Sequence, residues 1–272
     1  MTDLQLVYAP EVYVTATMQV QWDEIKRFLD DHGFTGARLF DGEVRADNDA
    51  VVEIAGRGCY QSWDAGRDHE AYIRNILERR DGSVVHHSVF GLIISGVSRS
   101  FSFEWIRHKT GISADELDGT GDTDISQLSQ RFVDESDVRF VVPPEIRRVG
   151  GEVQKAFETA CMTALQDYRI LTKGLEADPV IAAIPNATDR RKRIRQAARS
   201  VLPNAAETRF YVTGNARSFR NLLEQRTAPE ADEEFRRVAH QIGLALRRYA
   251  PHVFGDYDVS YDRVWTTPNV KV

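Results

Sequence analysis

The sequence predicts an α+β domain, and three observations predict it. From Glu152 the positions Val153, Phe157, Ala160, Ala164, Tyr168 and Leu171 recur at the period of about 3.6 residues that marks one face of a helix. Ser88 to Ser95 is a near-continuous apolar run of strand length, and Glu207 to Thr213 alternates as a half-buried strand does. The order of elements shows no regular βαβ alternation and no G-x-G-x-x-G, which argues against a doubly wound nucleotide fold. A dinucleotide cofactor bound here would not use a Rossmann crevice.

The remaining elements follow from periodicity and from stop signals. Leu4 to Ala9 reads as a strand, and Trp22 to His32 as a helix with Trp22, Ile25, Phe28 and Leu29 on one face and Gly33 as its stop. Asp41 to Asp49 reads as a polar surface loop, Arg67 to Arg80 as a polar helix ending at Asp81-Gly82, and Gly96 as the end of the apolar strand. Ser98 is placed to cap a helix running to Lys109, and Ser113 to Asp124, rich in Asp, Gly and Thr, reads as an exposed loop. The long helix from Glu152 ends at Gly174, and another runs from Pro179 or Asp189 to Val201, before Pro203. Ala216 to Arg226 is helical, and Thr227 with Glu230 reads as a capping box for a last helix reaching about Tyr249.

With 272 residues, 42% of them hydrophobic, the chain can bury a full core, and one domain over 1–272 is expected. A formal charge of -6 argues against a protein that neutralises polynucleotide phosphates, so no nucleic-acid partner is expected. No stretch approaches the roughly 18 consecutive apolar residues of a membrane helix, and a cytoplasmic protein without a membrane partner is expected. Cys59 and Cys161 stand far apart in no metal-like spacing, and the adjacent His86 and His87 precede a strand where neighbours face opposite sides; no metal is expected.

Several clusters carry usable chemistry. Arg107-His108-Lys109 closes the helix from Ser98, where cations are favoured by the helix dipole. Gln127-Leu128-Ser129-Gln130-Arg131 gathers amide, hydroxyl and guanidinium donors suited to a phosphate or a uracil edge. In the run Asp189 to Arg195 most charges fit a solvated face, whereas Arg199 stands beside the apolar Ala197, Ala198 and Val201. Asn215 can cap the helix it opens, and Arg217, Asn221 and Arg226 follow on that helix.

In order and wording these clusters resemble the flavin-dependent thymidylate synthases, a family marked by Arg-His-Arg, seven residues and a Ser. Arg107-His108-Lys109 and Ser126-Gln127-Leu128-Ser129-Gln130-Arg131-Phe132 match the two halves of that signature, and Ala55 to Trp63, Gln196 to Pro203 and Thr213 to Arg217 resemble three further family segments. Three departures stand out: Lys109 replaces Arg, Phe132 replaces Tyr, and residues 110 to 128 separate the two halves where the family has seven residues, an insertion of twelve. Loop closure cost grows only logarithmically, so such an insertion is cheap, but its place beside the ligands bears on substrate identity.

The resemblance implies a fold of long helices on a mostly antiparallel sheet, FAD as cofactor, NADPH as reductant, methylenetetrahydrofolate as carbon donor, and a homotetramer with active sites shared between subunits. The reaction it implies is reductive C5-methylation of dUMP to dTMP without a cysteine nucleophile. Arg226 matches the arginine that contacts the uracil and favours N3 ionisation. Glu104, Arg107, Gln127, Leu128, Ser129, Gln130, Arg131 and Arg199 match nucleotide-binding positions, and His87, Val89, Arg107, His108, Lys109, Gln127, Asn215, Arg217 and Asn221 match positions that hold FAD. Lys109 can supply charge there but not a bidentate fork. His86 stands where Glu is common, and Val89 where a small hydroxyl residue is common. Two alternatives remain: a specialised relative that methylates UMP in nucleoside-antibiotic synthesis, and a flavin- or nucleotide-binding protein without methylase activity.

Overall fold

A computed structural model describes residues 4–110 and 123–272, the side chains of residues 108–110 and 123 excepted. The loop expected from Ser113 therefore lies outside the described residues up to residue 122, and Thr123 and Asp124 already belong to a strand. Helices and an antiparallel sheet make up the α+β fold expected. The largest sheet has four strands in the order β2 (Glu11–Ala16), β3 (Val89–Ser98), β6 (Glu207–Asn215) and β4 (Thr123–Gln127). The chain divides into two compact units, the first Met1–Glu11, Ile94–Ile106 and Ser126–Phe210, the second Val12–Ile93, Arg107–Ile125 and Tyr211–Val272.

In the first unit, β1 (Leu6–Val7) and β5 (Phe140–Val141) form a short parallel pair, Leu6 opposite Phe140. Helix α7 (Gly151–Glu176) buries Cys161 and Leu165 against Val138, Phe140 and Ala206. The buried face only partly matches the stripe expected: Tyr168 is buried and Phe157 packs on this core, but Val153, Ala160 and Leu171 are exposed, and Cys161 and Leu165, outside the stripe, are buried. Both sets recur at helical spacing, and composition alone does not say which one meets the core. Gly174 lies inside α7, whose last residue is Glu176. The expected following helix is three pieces: α8 (Pro179–Ala182), α9 (Ala187–Ala198) and a 3-10 turn (Arg199–Val201). Asn186 caps α9, its side chain accepting from the backbone N–H of Thr188 at 2.8 Å and of Asp189 at 3.2 Å.

Gly96 does not end β3. It sits within the strand at φ +69°, and a Cβ there would meet the Ala9 carbonyl oxygen at 2.7 Å, so close backbone approach requires the glycine. Ser98 caps α5 (Arg99–Thr110) as expected, its hydroxyl accepting from the Phe101 N–H at 3.1 Å. Behind that cap Phe101 and Trp105 pack on Phe210, with ring centroids 5.7 and 5.6 Å away.

In the second unit, α1 (Trp22–His32) ends at Gly33, whose φ of 77° supplies the left-handed turn expected. Asp41 to Asp49 is only partly a loop, because α2 (Asp47–Tyr60) begins inside it and buries Asn48, Asp49 and Glu53. Those polar residues look solvent-facing in sequence but are satisfied internally; Glu53, for example, accepts from the guanidiniums of Arg45 and Arg57. Helix α3 (His69–Glu78) is amphipathic rather than polar, burying His69, Tyr72, Ile73, Ile76 and Leu77. His86 and His87 follow the short helix α4 (Gly82–Val85) in a turn, not in a strand. Helix α10 (Ala216–Arg226) has the expected bounds, but Thr227 does not open the last helix. Its hydroxyl donates back to the Leu223 carbonyl at 2.7 Å, and α11 (Glu233–Arg247) is capped by Asp232, which accepts from the N–H groups of Glu234 and Phe235. A buried pair, Arg220 with Asp256 at 2.6 Å, ties α10 to the segment that follows α11.

Candidate functional site

In the first unit the loop after β4 is fixed by its backbone. The Leu128 N–H donates to the Arg209 carbonyl at 2.9 Å, and the Leu128 carbonyl accepts from Arg99 Nη2 at 2.9 Å. The Ser129 carbonyl accepts from the N–H groups of Phe132 and Val133, which curls the loop into a turn. Its hydroxyl lies 3.3 Å from the Arg131 N–H, and Gln127 Nε2 donates to Thr208 Oγ1 at 3.2 Å. Gln130 is buried, whereas the side chains of Arg131 and Arg199 are exposed and pair with no carboxylate among the described residues.

Helix α9 meets this loop. Arg195 donates to the Phe132 carbonyl and lies 3.7 Å from Asp134, and Lys192 Nζ sits 4.8 Å from the centre of the Phe132 ring. Arg195 and Lys192 were expected on a solvated face; here they position the segment carrying Ser129 and Arg131. Arg199, at the C-terminal end of α9, is exposed, and so is the neighbouring Ala197. Burial lowers the pKa of Arg99, the nearby Glu135 opposes that, and Arg199 adds to the lowering, which places the Arg199 charge near the anchor of the loop. Glu104 is half-buried on α5 of the same unit.

Glu135 stands out in this region. It is 5% exposed, its Oε1 has no hydrogen-bond partner, and burial pushes its carboxyl to about 7 although Arg99 pulls the other way. Neighbouring Asp134 and Glu207 raise it further. Sequence reasoning missed both Arg99 and Glu135. A signal existed for Arg99, since an arginine in the first turn of a helix opposes the helix dipole and needs another reason to be there.

The second unit gathers the other group. The Ala216 N–H donates to the Ser88 carbonyl at 2.7 Å, which joins the start of α10 to the turn carrying His86 and His87. Asn215 caps α10 by accepting from the Ser218 N–H at 2.8 Å. Arg217 lies 3.2 Å from His86 Nε2 and donates to the Lys271 carbonyl, passing so close to Gly82 that a Cβ there would meet its Nε at 2.5 Å. His87 is exposed and Val89 half-buried, while Asn221 is half-buried and accepts from Gln225 at 3.0 Å. Arg226 ends α10 with its guanidinium 4.9 Å from the centre of the Phe235 ring. Arg107 of α5 is exposed, and the side chains of His108 and Lys109 lie outside the described residues. Of these side chains the geometry joins Arg217 to His86, a guanidinium and an imidazole of the kind that can meet an anionic ligand.

Neither cysteine is an activated nucleophile. Cys161 is buried and its thiol is pushed up to about 11, chiefly by desolvation. Cys59 is exposed on α2, without a described hydrogen bond to a base.

The α+β chain thus carries exposed cationic and half-buried amide donors of the kind that suit phosphate-bearing ligands. Residues 43–252 match the family model described as thymidylate synthase complementing protein. The chain is 42% identical over 214 residues to the flavin-dependent thymidylate synthase of Mycolicibacterium vanbaalenii, covering 77% of this chain and 80% of that protein. It is 40% identical over 215 residues to that of Mycobacteroides abscessus and 41% over 215 to that of Mycobacterium tuberculosis H37Rv, in both cases covering 78% of this chain and 80% of the relative. The chain belongs to the flavin-dependent thymidylate synthase family.

Proposed function

We propose that the chain catalyses FAD-dependent reductive C5-methylation of dUMP to dTMP, with methylenetetrahydrofolate as carbon donor and NADPH as reductant. The observation that carries this reading is the pair Arg131 and Arg199, exposed and without a described counter-ion in a chain of net charge -6. Uncompensated arginine forks, one on a fixed loop and one at a helix end, suit paired oxygens, and a nucleotide phosphate supplies them. Ser129 and Gln127 add hydroxyl and amide donors beside them. Arg226 contacts the uracil and favours the N3-ionised form, which raises electron density at C5.

FAD, when bound, supplies the hydride that completes the methyl group. His87, Arg107, Gln127, Asn215, Arg217 and Asn221, with His108 and Lys109, hold it. The active form is a homotetramer with shared sites; the exposed apolar residues Val153, Ile170 and Leu171 of α7 and Val180 of α8 support buried subunit interfaces.

A second reading, methylation of UMP, is favoured by Phe132. It stands where the family has Tyr, 56% exposed and held beneath Lys192, next to the donors of Ser129 and Arg131. The test is an assay of purified enzyme with FAD, NADPH and methylenetetrahydrofolate on both nucleotides. dTMP formed from dUMP is the expected product; exclusive turnover of UMP moves the assignment to the second reading. Flavin bleaching by NADPH with neither product would mean a flavin-binding protein without methylase activity. In the same assay Arg226→Ala abolishes turnover and keeps the yellow cofactor, and loss of the flavin instead overturns the role given to Arg226.

A further inference from the structure

We propose that Asp49, His69 and His252 of the second unit form a site for one divalent first-row transition ion of the Zn2+ class. One ligand atom from each lies within 4.8 Å of the others. In a tetrahedral Zn2+ site two ligand atoms about 2.0–2.1 Å from the ion lie about 3.4 Å apart, so closing the set takes a shift of up to about 1.4 Å at its outermost pair. His252 is the half-exposed member and has room to make that shift; Asp49 and His69 are buried.

The second, independent observation is the state of His69. Its ring is 1% exposed, and Nε2 has no hydrogen-bond partner, although a buried nitrogen left unsatisfied costs about 1–3 kcal/mol. The other nitrogen, Nδ1, lies 2.6 Å from Glu53 Oε2. Glu53 is held in turn by Arg45 at 3.1 Å and Arg57 at 2.8 Å, so it acts as acceptor and Nδ1 carries the proton. With Nδ1 committed to Glu53, the neutral ring presents the lone pair of Nε2, the arrangement in which a carboxylate behind a histidine orients it and makes it a stronger metal ligand.

Asp49 is similarly prepared. Its Oδ2 accepts from the His252 N–H at 2.8 Å and its Oδ1 from the Val253 N–H at 3.1 Å. One bond per oxygen leaves lone pairs for an ion and holds the carboxylate rigid. The His252 ring stands edge-on to that of His69, centroids 5.1 Å apart, and lines a cavity of about 550 Å3 together with Glu70, Asp256 and Asp258. That cavity, whose lining carries four carboxylates (Glu70, Glu78, Asp256 and Asp258) and one arginine, Arg74, gives a hydrated cation access to His252. Two nitrogens and one oxygen suit Zn2+ and its neighbours, not Mg2+, which takes oxygen ligands and gives up its water reluctantly.

A bound ion would staple α2 and α3 to the segment after α11, a closure across about 200 residues of sequence. The test uses the full chain stripped with chelator and titrated with Zn2+ or Mg2+ by calorimetry and thermal melting. One equivalent of Zn2+ binds and raises the melting temperature, Mg2+ does neither, and His252→Ala weakens Zn2+ binding by more than tenfold. Absence of stoichiometric Zn2+ binding, or an undiminished equivalent in His252→Ala, overturns the proposal. If that variant does not fold, NMR of the wild-type histidine rings decides: resonances of His69 and His252 shift with Zn2+, and shifts confined to other histidines overturn it.

Discussion

Two arginines of the second unit and two of the first live in opposite environments. In the second unit Arg57 and Arg220 are fully buried: Arg57 reaches Glu53 at 2.7 Å, Arg220 meets Asp256 at 2.6 Å, and each guanidinium also lies over a tyrosine ring. In the first unit Arg131 and Arg199 are exposed and reach no described carboxylate. A buried cation must be neutralised inside the fold, because its desolvation otherwise exceeds what a marginally stable chain can tolerate. An exposed one left unneutralised, beside a loop whose backbone is tied down at Leu128 and Ser129, is free to neutralise something else. Partner geometry, then, separates arginines that hold the fold from those proposed to meet a ligand.

The largest expected effect tests the first class. Arg220→Ala leaves the partly buried Asp256 without its cation, held only by Thr267 and Asn269, and costs about 3–5 kcal/mol, measured by denaturant unfolding. A loss under about 1 kcal/mol would break the division, since the pair would then be dispensable. Glu135 follows. Its carboxyl is raised to about 7 in the fold against an ordinary 4.5, so the native state binds more protons than the unfolded one between those values. Stability must therefore fall as pH rises from about 4.5 to 7, by at most about 3 kcal/mol at about 1.36 kcal/mol per unit. Glu135→Gln removes that slope: melting temperatures agree with wild type at pH 4.5 and exceed it at pH 8. A wild-type curve without this slope would mean that Arg99 already compensates Glu135.

Arg199→Ala tests the second class. Nucleotide affinity drops by about 1.5–3 kcal/mol, the worth of hydrogen bonds to a charged group, while the melting temperature hardly moves. A large loss of stability with unchanged affinity would reverse the assignment.

Much of this was legible in the sequence because it is local. The bounds of α1 and α10 follow from a glycine stop, an Asn cap and helical spacing, and the donors at 127–131 and at 199 follow from ordered motifs. What was hidden depends on partners distant in the chain. Nothing near Thr227 reveals that its hydroxyl accepts from the N–H of Trp265, which makes it a helix end rather than a beginning. The buried face of α7 depends on where Phe140 and Ala206 lie, and both candidate stripes have the right period. Asp49, His69 and His252 follow no metal spacing, because three separate segments supply them.

Arg195 sharpens the comparison most, since it belongs to neither class. It is partly buried, donates to the Phe132 carbonyl, and lies 3.7 Å from an Asp134 that is itself half exposed. An ion pair this open is worth about 0–1 kcal/mol, so Arg195→Ala should lower stability by no more than that. Its backbone bond, however, positions the turn that carries Ser129 and Arg131. Loosening that turn should weaken nucleotide binding a few-fold, less than removing Arg199. Titration of nucleotide into both variants orders the two effects; if Arg195→Ala costs as much affinity as Arg199→Ala, Arg195 itself touches the ligand, and an engaged guanidinium no longer marks a residue as structural.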